Sequence, residues 1–316
     1  PILNINPQKN SKIIVEASSF QLAYSKLIKP KYAAILNISN DHEDWHKTFT
    51  NYKLELINNP KIGRVEVYKF NRDISNYPNL ENKHVSEATY YRLFISEYLP
   101  KDIDRIIYLD SDVFCLNNPT ELIDETFNKM NKDGFYISVS TEIIKENKDH
   151  DLFVNLELEQ DNYFNAGVML IDYQRWLSFT KVNEFISLVE KYKNNIIFWD
   201  QDILNKKFDG KYYELPEKLN FRKINENKLE EIKQNNYFIH YVGNHKPWTI
   251  EGGCEENSII YFEYYKQVFN KKYHFEIKKN KINSLYALLK NLFSFKFLNS
   301  QHPFSYIKES LKTIIF

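Results

Sequence analysis

Glycine, cysteine and long apolar runs are all scarce in this chain of 316 residues. There are only 7 Gly, and no Gly-x-x-x-x-Gly-Lys-Ser/Thr loop of the kind that cradles the phosphates of ATP. The two cysteines, Cys115 and Cys254, form neither a metal-binding spacing nor a disulfide framework. Cys115 follows an apolar strand and reads as a buried thiol. No stretch approaches the roughly 18 uninterrupted apolar residues of a membrane-spanning helix, and no signal peptide is visible. Internal repeats and low-complexity linkers are missing, and the basic residues do not gather on a recognisable nucleic-acid module, so that partner is not expected. What abounds is Asn, Ile, Lys and Tyr, the imprint of an A/T-rich genome. The 23 Tyr and 23 Phe are therefore weak grounds for carbohydrate stacking. The length suits one large α/β domain plus an extension.

The most informative segment is Arg105-Ile-Ile-Tyr-Leu-Asp110-Ser111-Asp112-Val-Phe. Its apolar run predicts a buried strand with two carboxylates, spaced i and i+2, at the C-terminal end. Such side chains share one side of a strand and can reach one hard cation. In open α/β sheets, ligands bind at the carboxyl ends of strands. A divalent cation held there by carboxylates completes its shell with phosphate oxygens, which suits a nucleotide diphosphate. Asp-x-Asp alone is also common in solvated turns.

Three further clusters follow in order: Tyr163-Phe-Asn165-Ala-Gly167-Val-Met-Leu170, Trp199-Asp200-Gln201-Asp202-Ile-Leu-Asn205, and Phe238-Ile-His240-Tyr-Val-Gly243-Asn-His-Lys246-Pro-Trp248. In the last, a strand ends in an imidazole, a Gly permits close backbone approach, and a Lys can reach a phosphate. With Asp110 and Asp112, and with His84-Val-Ser-Glu-Ala-Thr89-Tyr-Tyr-Arg92 upstream, these motifs resemble glycosyltransferase family 8 over about residues 58–250. That family comprises retaining enzymes that use nucleotide sugars and includes bacterial lipopolysaccharide galactosyl- and glucosyltransferases.

The resemblance implies a GT-A fold, a Rossmann-like α/β architecture on a mixed, mostly parallel sheet with a helical C-terminal extension. It implies metal ligation by Asp110, Asp112 and His240. Imidazole beside two carboxylates suits Mn²⁺ better than Mg²⁺. Gly243 and Lys246 match the segment closing over the donor diphosphate. Ser111 lies between the two aspartates, and Arg92, Asn165, Asp200 and Gln201 match residues lining the donor sugar and reacting centre. The implied reaction moves galactose or glucose from a UDP-hexose to a hydroxyl of a cell-surface glycan or lipid-linked saccharide. A covalent route needs a carboxylate, hence Asp200; Gln201 favours same-face attack, and the sequence leaves both open. Structural roles compete: Arg92 could pair with Glu87 or Glu97, Asn165 could cap a turn, Asp200 could cap the helix that follows, and His240 could be a structural histidine. His245 reads as surface.

Residues 1–55 differ. Glu16-Ala-Ser18-Ser19-Phe-Gln-Leu and Leu36-Asn-Ile-Ser-Asn-Asp41-His42 resemble a fragment of the Mur ligase that adds D-glutamate to UDP-N-acetylmuramoylalanine. Its modified lysine would fall near Leu56, so that likeness has ended by then, and Glu16 and His42 would be idle. Strands are nevertheless expected at 12–17, 32–38 and 63–70, with helices at 18–29 and 44–58, the β-α-β-α-β order of a nucleotide-binding half. Ser18 and Ser19 would then stand at the base and ribose. The competing outcome is a damaged uridine pocket, leaving a nucleotide-sugar-binding protein or an inert fusion.

The expected domains are 1–250 for the GT-A part and 251–316 for a basic extension. Lys266–Phe316 carries ten Lys and two Glu, so this tail is +8 and the remainder −8. Within 282–297, Leu285, Leu288, Leu289, Leu292 and Phe293 recur at helical spacing. Such a stretch can lie on an anionic membrane surface or pack its apolar face on the domain. The expected location is cytoplasmic, with peripheral contact at the inner face of the cytoplasmic membrane.

Overall fold

The computed structural model describes residues 11–15, 33–35, 65–68, 70–78, 87–145, 150–223, 228–256, 258–276 and 281–315. The chain divides into two compact units, Pro1–Asn220 and Phe221–Phe316.

The first unit is built on one mixed sheet of seven strands. They are β1 (Ser11–Val15), β2 (Ala33–Ile35), β3 (Val65–Val67), β4 (Arg105–Leu109), β6 (Ile137–Ile144), β7 (Asn162–Asp172) and β8 (Tyr212–Glu214). A separate short strand, β5, covers Val113–Cys115. The order across the sheet is β3-β2-β1-β4-β7-β6-β8. β1 to β4 run parallel, β7 is antiparallel to both β4 and β6, and β8 is parallel to β6. The mostly parallel sheet expected from the sequence is therefore present. The described residues of the three strands anticipated in residues 12–70 pair parallel with one another. The two helices anticipated at 18–29 and 44–58 lie outside the described residues.

The strands that carry the site are buried over almost their whole length. In β7 nine consecutive residues, Tyr163 to Ile171, are buried, and in β4 only Arg105 is not. Continuous apolar runs of this kind belong to strands covered on both faces. The helices Thr120–Asp133, Tyr173–Phe179, Val182–Tyr192 and Trp199–Lys207 belong to this unit. Among them, Trp176 stacks against Phe208 and Phe185 at centroid distances of 5.2 and 5.7 Å. Asp172 starts the helix Tyr173–Phe179 by accepting the Arg175 N–H, and Gly134, at φ 82°, ends Thr120–Asp133 in the left-handed conformation glycine favours.

The second unit holds the short strand β9 (Phe238–His240) and the helices Leu229–Asn235, Ser258–Phe269, Lys281–Phe293 and Pro303–Ile315. Its core gathers Ile250, Cys254, Phe262, Tyr273, Phe275, Leu288 and Tyr306. Tyr306 Oη donates to the Ile250 carbonyl at 2.7 Å, and Asn291 Nδ2 donates to the same carbonyl at 3.1 Å.

In the tail the apolar stripe is not packed as the second of the two alternatives has it. Helix Lys281–Phe293 buries Ser284, Ala287, Leu288 and Asn291. Of the apolar positions expected to face one way, only Leu288 is fully buried; Leu285 and Leu289 are 42% and 41% exposed and Phe293 is 80% exposed. Small and polar side chains allow the close helix contact here, and the larger apolar ones are left outside.

Candidate active site

The aspartates stand where the sequence places them. β4 ends at Leu109, and Asp110, Ser111 and Asp112 follow in a half-buried turn before β5. The turn is tied down by backbone bonds: Asp110 N–H donates to Gly167 O at 2.8 Å, and Val113 N–H returns to Asp110 O at 3.1 Å. Pairing with β1 on one side and β7 on the other holds β4 in the interior of the sheet, so the acids project from a rigid support.

Beside them Arg92, 6% exposed, makes three contacts that fix it completely. Nε donates to Asp200 Oδ2, and Nη1 donates to the Ala166 carbonyl at 2.7 Å and to Asp110 Oδ1 at 3.3 Å. Its guanidinium lies over the Tyr108 ring, 4.7 Å from the centroid. Of the two partners considered for Arg92, Glu97 pairs with Arg72 instead. Asp200 is 1% exposed. Burial raises its carboxyl above the ordinary range, while Arg92 pulls the other way. Burial opposes the charge on Arg92, but Asp200, Tyr108 and Asp110 more than offset this and keep the guanidinium protonated.

Nor does Asp200 cap its helix. The N-cap position, Phe198, has no side-chain cap; Asp202, one turn into the helix, reaches back with Oδ2 to accept from the N–H groups of Ile197 and Phe198 at 2.6 and 3.0 Å. Trp199, the first residue of this helix, is held at φ 50°. The left-handed region costs a bulky L residue about 1–3 kcal/mol, so strain is stored immediately before Asp200 and Gln201. Asn205 anchors the same helix on β7 by donating to Phe164 O at 2.9 Å and accepting from Phe164 N–H at 2.7 Å.

Asn165 and Gln201 are brought together by an irregular stretch of β6–β7 pairing. Asn165 lies inside β7, not in a turn before it; its Oδ1 accepts from Gly167 N–H at 3.1 Å and from Asn220 Nδ2 at 3.2 Å. Gln201 Oε1 accepts from Ala166 N–H at 3.0 Å. The backbone N–H dictates which end of the amide faces inward. Both carboxamide nitrogens donate to one oxygen, Glu142 Oε2, each at 3.3 Å. Glu142 had no motif to announce it, since an exposed Glu late in a strand reads as ordinary solvated surface.

In the second unit, His240 ends β9, is buried, and its N–H donates to Phe221 O at 2.9 Å. Gly243, at φ 83°, opens the turn toward Lys246, whose Nζ donates to Tyr241 O at 2.5 Å. Gly252 closes it: a Cβ there would lie 2.1 Å from the Lys246 carbonyl, so only glycine lets the backbone pass. His245 is exposed. Ser18 and Ser19 lie outside the described residues. The thiols of Cys115 and Cys254 are buried, and Cys115 Sγ donates to Asn117 O at 3.1 Å.

A mixed sheet of this order, with carboxylates on a short turn after a central strand, is the GT-A arrangement. The solved galactosyltransferase LgtC, in complex with donor and acceptor sugar analogs, shares the fold: TM-score 0.56, 24% identity, over 75% of this chain and 89% of that one. The profile of glycosyl transferase family 8 matches residues 13–252, and the chain belongs to that family. The match begins earlier than the motifs alone indicated and takes in most of the segment that resembles a Mur ligase; nothing in the comparisons supports that second likeness. Similar curated proteins include a lipopolysaccharide 1,2-glucosyltransferase of Escherichia coli, 31% identical over 51% of this chain and 49% of its own length. A lipopolysaccharide 1,3-galactosyltransferase of Salmonella typhimurium is 28% identical over 52% of this chain and 50% of its own. The chain thus spans about half the length of the curated relatives it matches.

Proposed function

We propose that this protein is a retaining hexosyltransferase that moves galactose or glucose from a UDP-sugar to a hydroxyl of a cell-surface glycan or lipopolysaccharide acceptor, with Mn²⁺ preferred over Mg²⁺. The observation that carries the reading is the buried Arg92–Asp200 pair, linked through Arg92 to Asp110, in a chain that belongs to family 8. A fixed cation and carboxylate of this kind are what a polar sugar needs for orientation at the back of a dry cleft.

Asp110, Asp112 and His240 would hold the cation. The three match the metal ligands of family 8, and a mixed N/O donor set of imidazole and carboxylates fits Mn²⁺. The bound cation would supply charge stabilisation for the leaving diphosphate. Lys246, on the loop between Gly243 and Gly252, adds a second positive charge for the same phosphates. Ser18 and Ser19 are assigned to the base and ribose. Arg92 and Asp200 orient the sugar. The depth of Asp200 and its bond to Arg92 support orientation over nucleophilic attack, leaving Gln201, half-buried, beside the anomeric carbon.

The tail is proposed to rest on an anionic membrane surface at the cytoplasmic face. Phe293, Phe295 and Phe304 are 80%, 68% and 87% exposed in a segment that carries Lys281, Lys290, Lys296, Lys308 and Lys312. Among the described residues no helix is long and apolar enough to cross a membrane.

Calorimetry of UDP binding with and without Mn²⁺ tests the donor site. The intact chain should bind in a Mn²⁺-dependent manner. Asp112→Ala should lose at least the roughly 10–100-fold that removal of a mere supporting group costs a metal site. Binding without turnover of any UDP-hexose would favour the impaired nucleotide-sugar binder, and no binding would remove the donor site altogether.

A further inference from the structure

Glu142 sits at an interruption in the β6–β7 ladder. Thr141 pairs with Phe164 and Ile143 pairs with Tyr163, so two residues of β6 advance against one of β7, and Glu142 is the extra residue of a bulge. Such bulges re-aim a side chain and recur beside active sites. A second shift lies between Ser138/Leu170 and Ser140/Asn165, where four residues of β7, Ala166 to Met169, stand against one of β6. The two irregularities bring Glu142 Oε2 to 3.3 Å from both Gln201 Nε2 and Asn165 Nδ2. A carboxylate only accepts, so it selects the nitrogen ends of both amides. The far end of Gln201 is selected independently by Ala166 N–H. Tyr163 Oη, which donates to Asp202, receives the same Gln201 nitrogen at 3.3 Å.

We propose that Glu142 is a positioning residue, acting through Gln201 and Asn165, and this rests on the hexosyltransferase reading above. Two consequences follow from the hydrogen bonds. The carboxamide of Gln201 is held in a single orientation, with one lone pair of Oε1 on Ala166 and the other left for an electron-poor centre. A negative acceptor at the nitrogen end draws the amide dipole toward it and places more negative charge on Oε1. An oxocarbenium-like centre beside Oε1 gains from both, in the transition state more than in the ground state.

The test uses the full chain and separates the clamp from the reaction. In the clamp arm, the side-chain amide NMR signals of Gln201 and Asn165 are assigned by their loss in Gln201→Ala and Asn165→Ala. Glu142→Ala should move both sets and speed their exchange with water; unchanged signals overturn the proposal whatever the activity. In the kinetic arm, Glu142→Ala should lower kcat on the order of 10–100-fold, with Mn²⁺-dependent UDP affinity and donor KM unchanged. The same substitution in a Gln201→Ala background should cost at most a few-fold more, because the group it acts through is gone. Equal losses in both backgrounds, or a rise in acceptor KM with kcat intact, overturn the positioning role. Glu142→Gln, which keeps an acceptor oxygen without the charge, should recover part of kcat. If Glu142→Ala moves the signals but the wild-type chain turns over no UDP-hexose, the clamp stands and the function is struck down instead.

Discussion

Two regions of the molecule invert the usual rule that apolar groups lie inside and polar ones outside. The back of the candidate site buries Arg92, Asn165, Asp200, Asp202 and Asn205, whereas the last two helices expose Ile282, Tyr286, Phe293, Phe304 and Ile315. The informative residues of a protein surface or core are these exceptions. In the first region the exception is satisfied internally: Arg92 has Asp200, Asp110 and Ala166 as acceptors, and Asn205 is bonded at both ends of its amide. The geometry is single-valued, as a site for one orientation of a polar ligand must be. In the second region the exposed side chains are answered by lysines, not by packing, which suits a broad surface such as a membrane. On the proposed function, the first region would specify a ligand and the second a location.

Breaking the buried pair should have the largest effect. Removal of one partner leaves a buried, uncompensated charge, so Arg92→Met should cost about 3–5 kcal/mol in a chemical denaturation experiment. Replacing both, as Arg92→Met with Asp200→Leu, should return most of that stability while hexosyl transfer stays lost. A double variant as unstable as the single one would show that the pair is structural support and not a ligand-orienting device.

The tail should respond in the opposite sense. Phe293→Ser and Phe304→Ser should leave stability within about 0.5 kcal/mol, yet reduce co-sedimentation with vesicles rich in anionic lipid. If binding persists unchanged in the double substitution, the exposed aromatics have no membrane role and the contrast between the two regions weakens.

The smallest effect is expected at the cysteines. Burial pushes the Cys254 thiol up to about 11, and Cys115 is also buried. A thiol reagent at pH 8 should label neither in the native chain and both after unfolding. Labelling of Cys254 without unfolding would mean that the core around Tyr306 and Phe275 opens on its own.

Much of this was legible in the sequence, for physical reasons that differ from place to place. The strand ending at Leu109 and the imidazole at the end of β9 were readable because apolar runs and strand-end polar residues are local signals. The first strands were readable despite an unfamiliar motif, because burial demands apolar residues whatever their ancestry. The partner of Arg92 was not, since Asp200 lies 108 positions away and Glu97 is nearby in sequence. Glu142 was hidden because a bulge leaves no compositional mark and its carboxylate resembles any solvated one. In the tail the helix was foreseen, but its buried face was not. Spacing shows that Leu285, Leu288, Leu289, Leu292 and Phe293 share a side and says nothing of whether Ser284, Ala287 and Asn291 offer closer packing.

The interior place of β4 governs when the protein becomes competent as well as how rigid it is. Its neighbours come from opposite directions along the chain: β1 starts at Ser11 and β7 ends at Asp172. Pairing between such distant segments is slow and is completed only when all of them are present. During synthesis Asp110 and Asp112 therefore leave the ribosome well before β7 exists to support them, and Asp200, the partner of Arg92, comes later still. On the proposed function, the donor site is complete only once β7 and the helix that carries Asp200 have both been made.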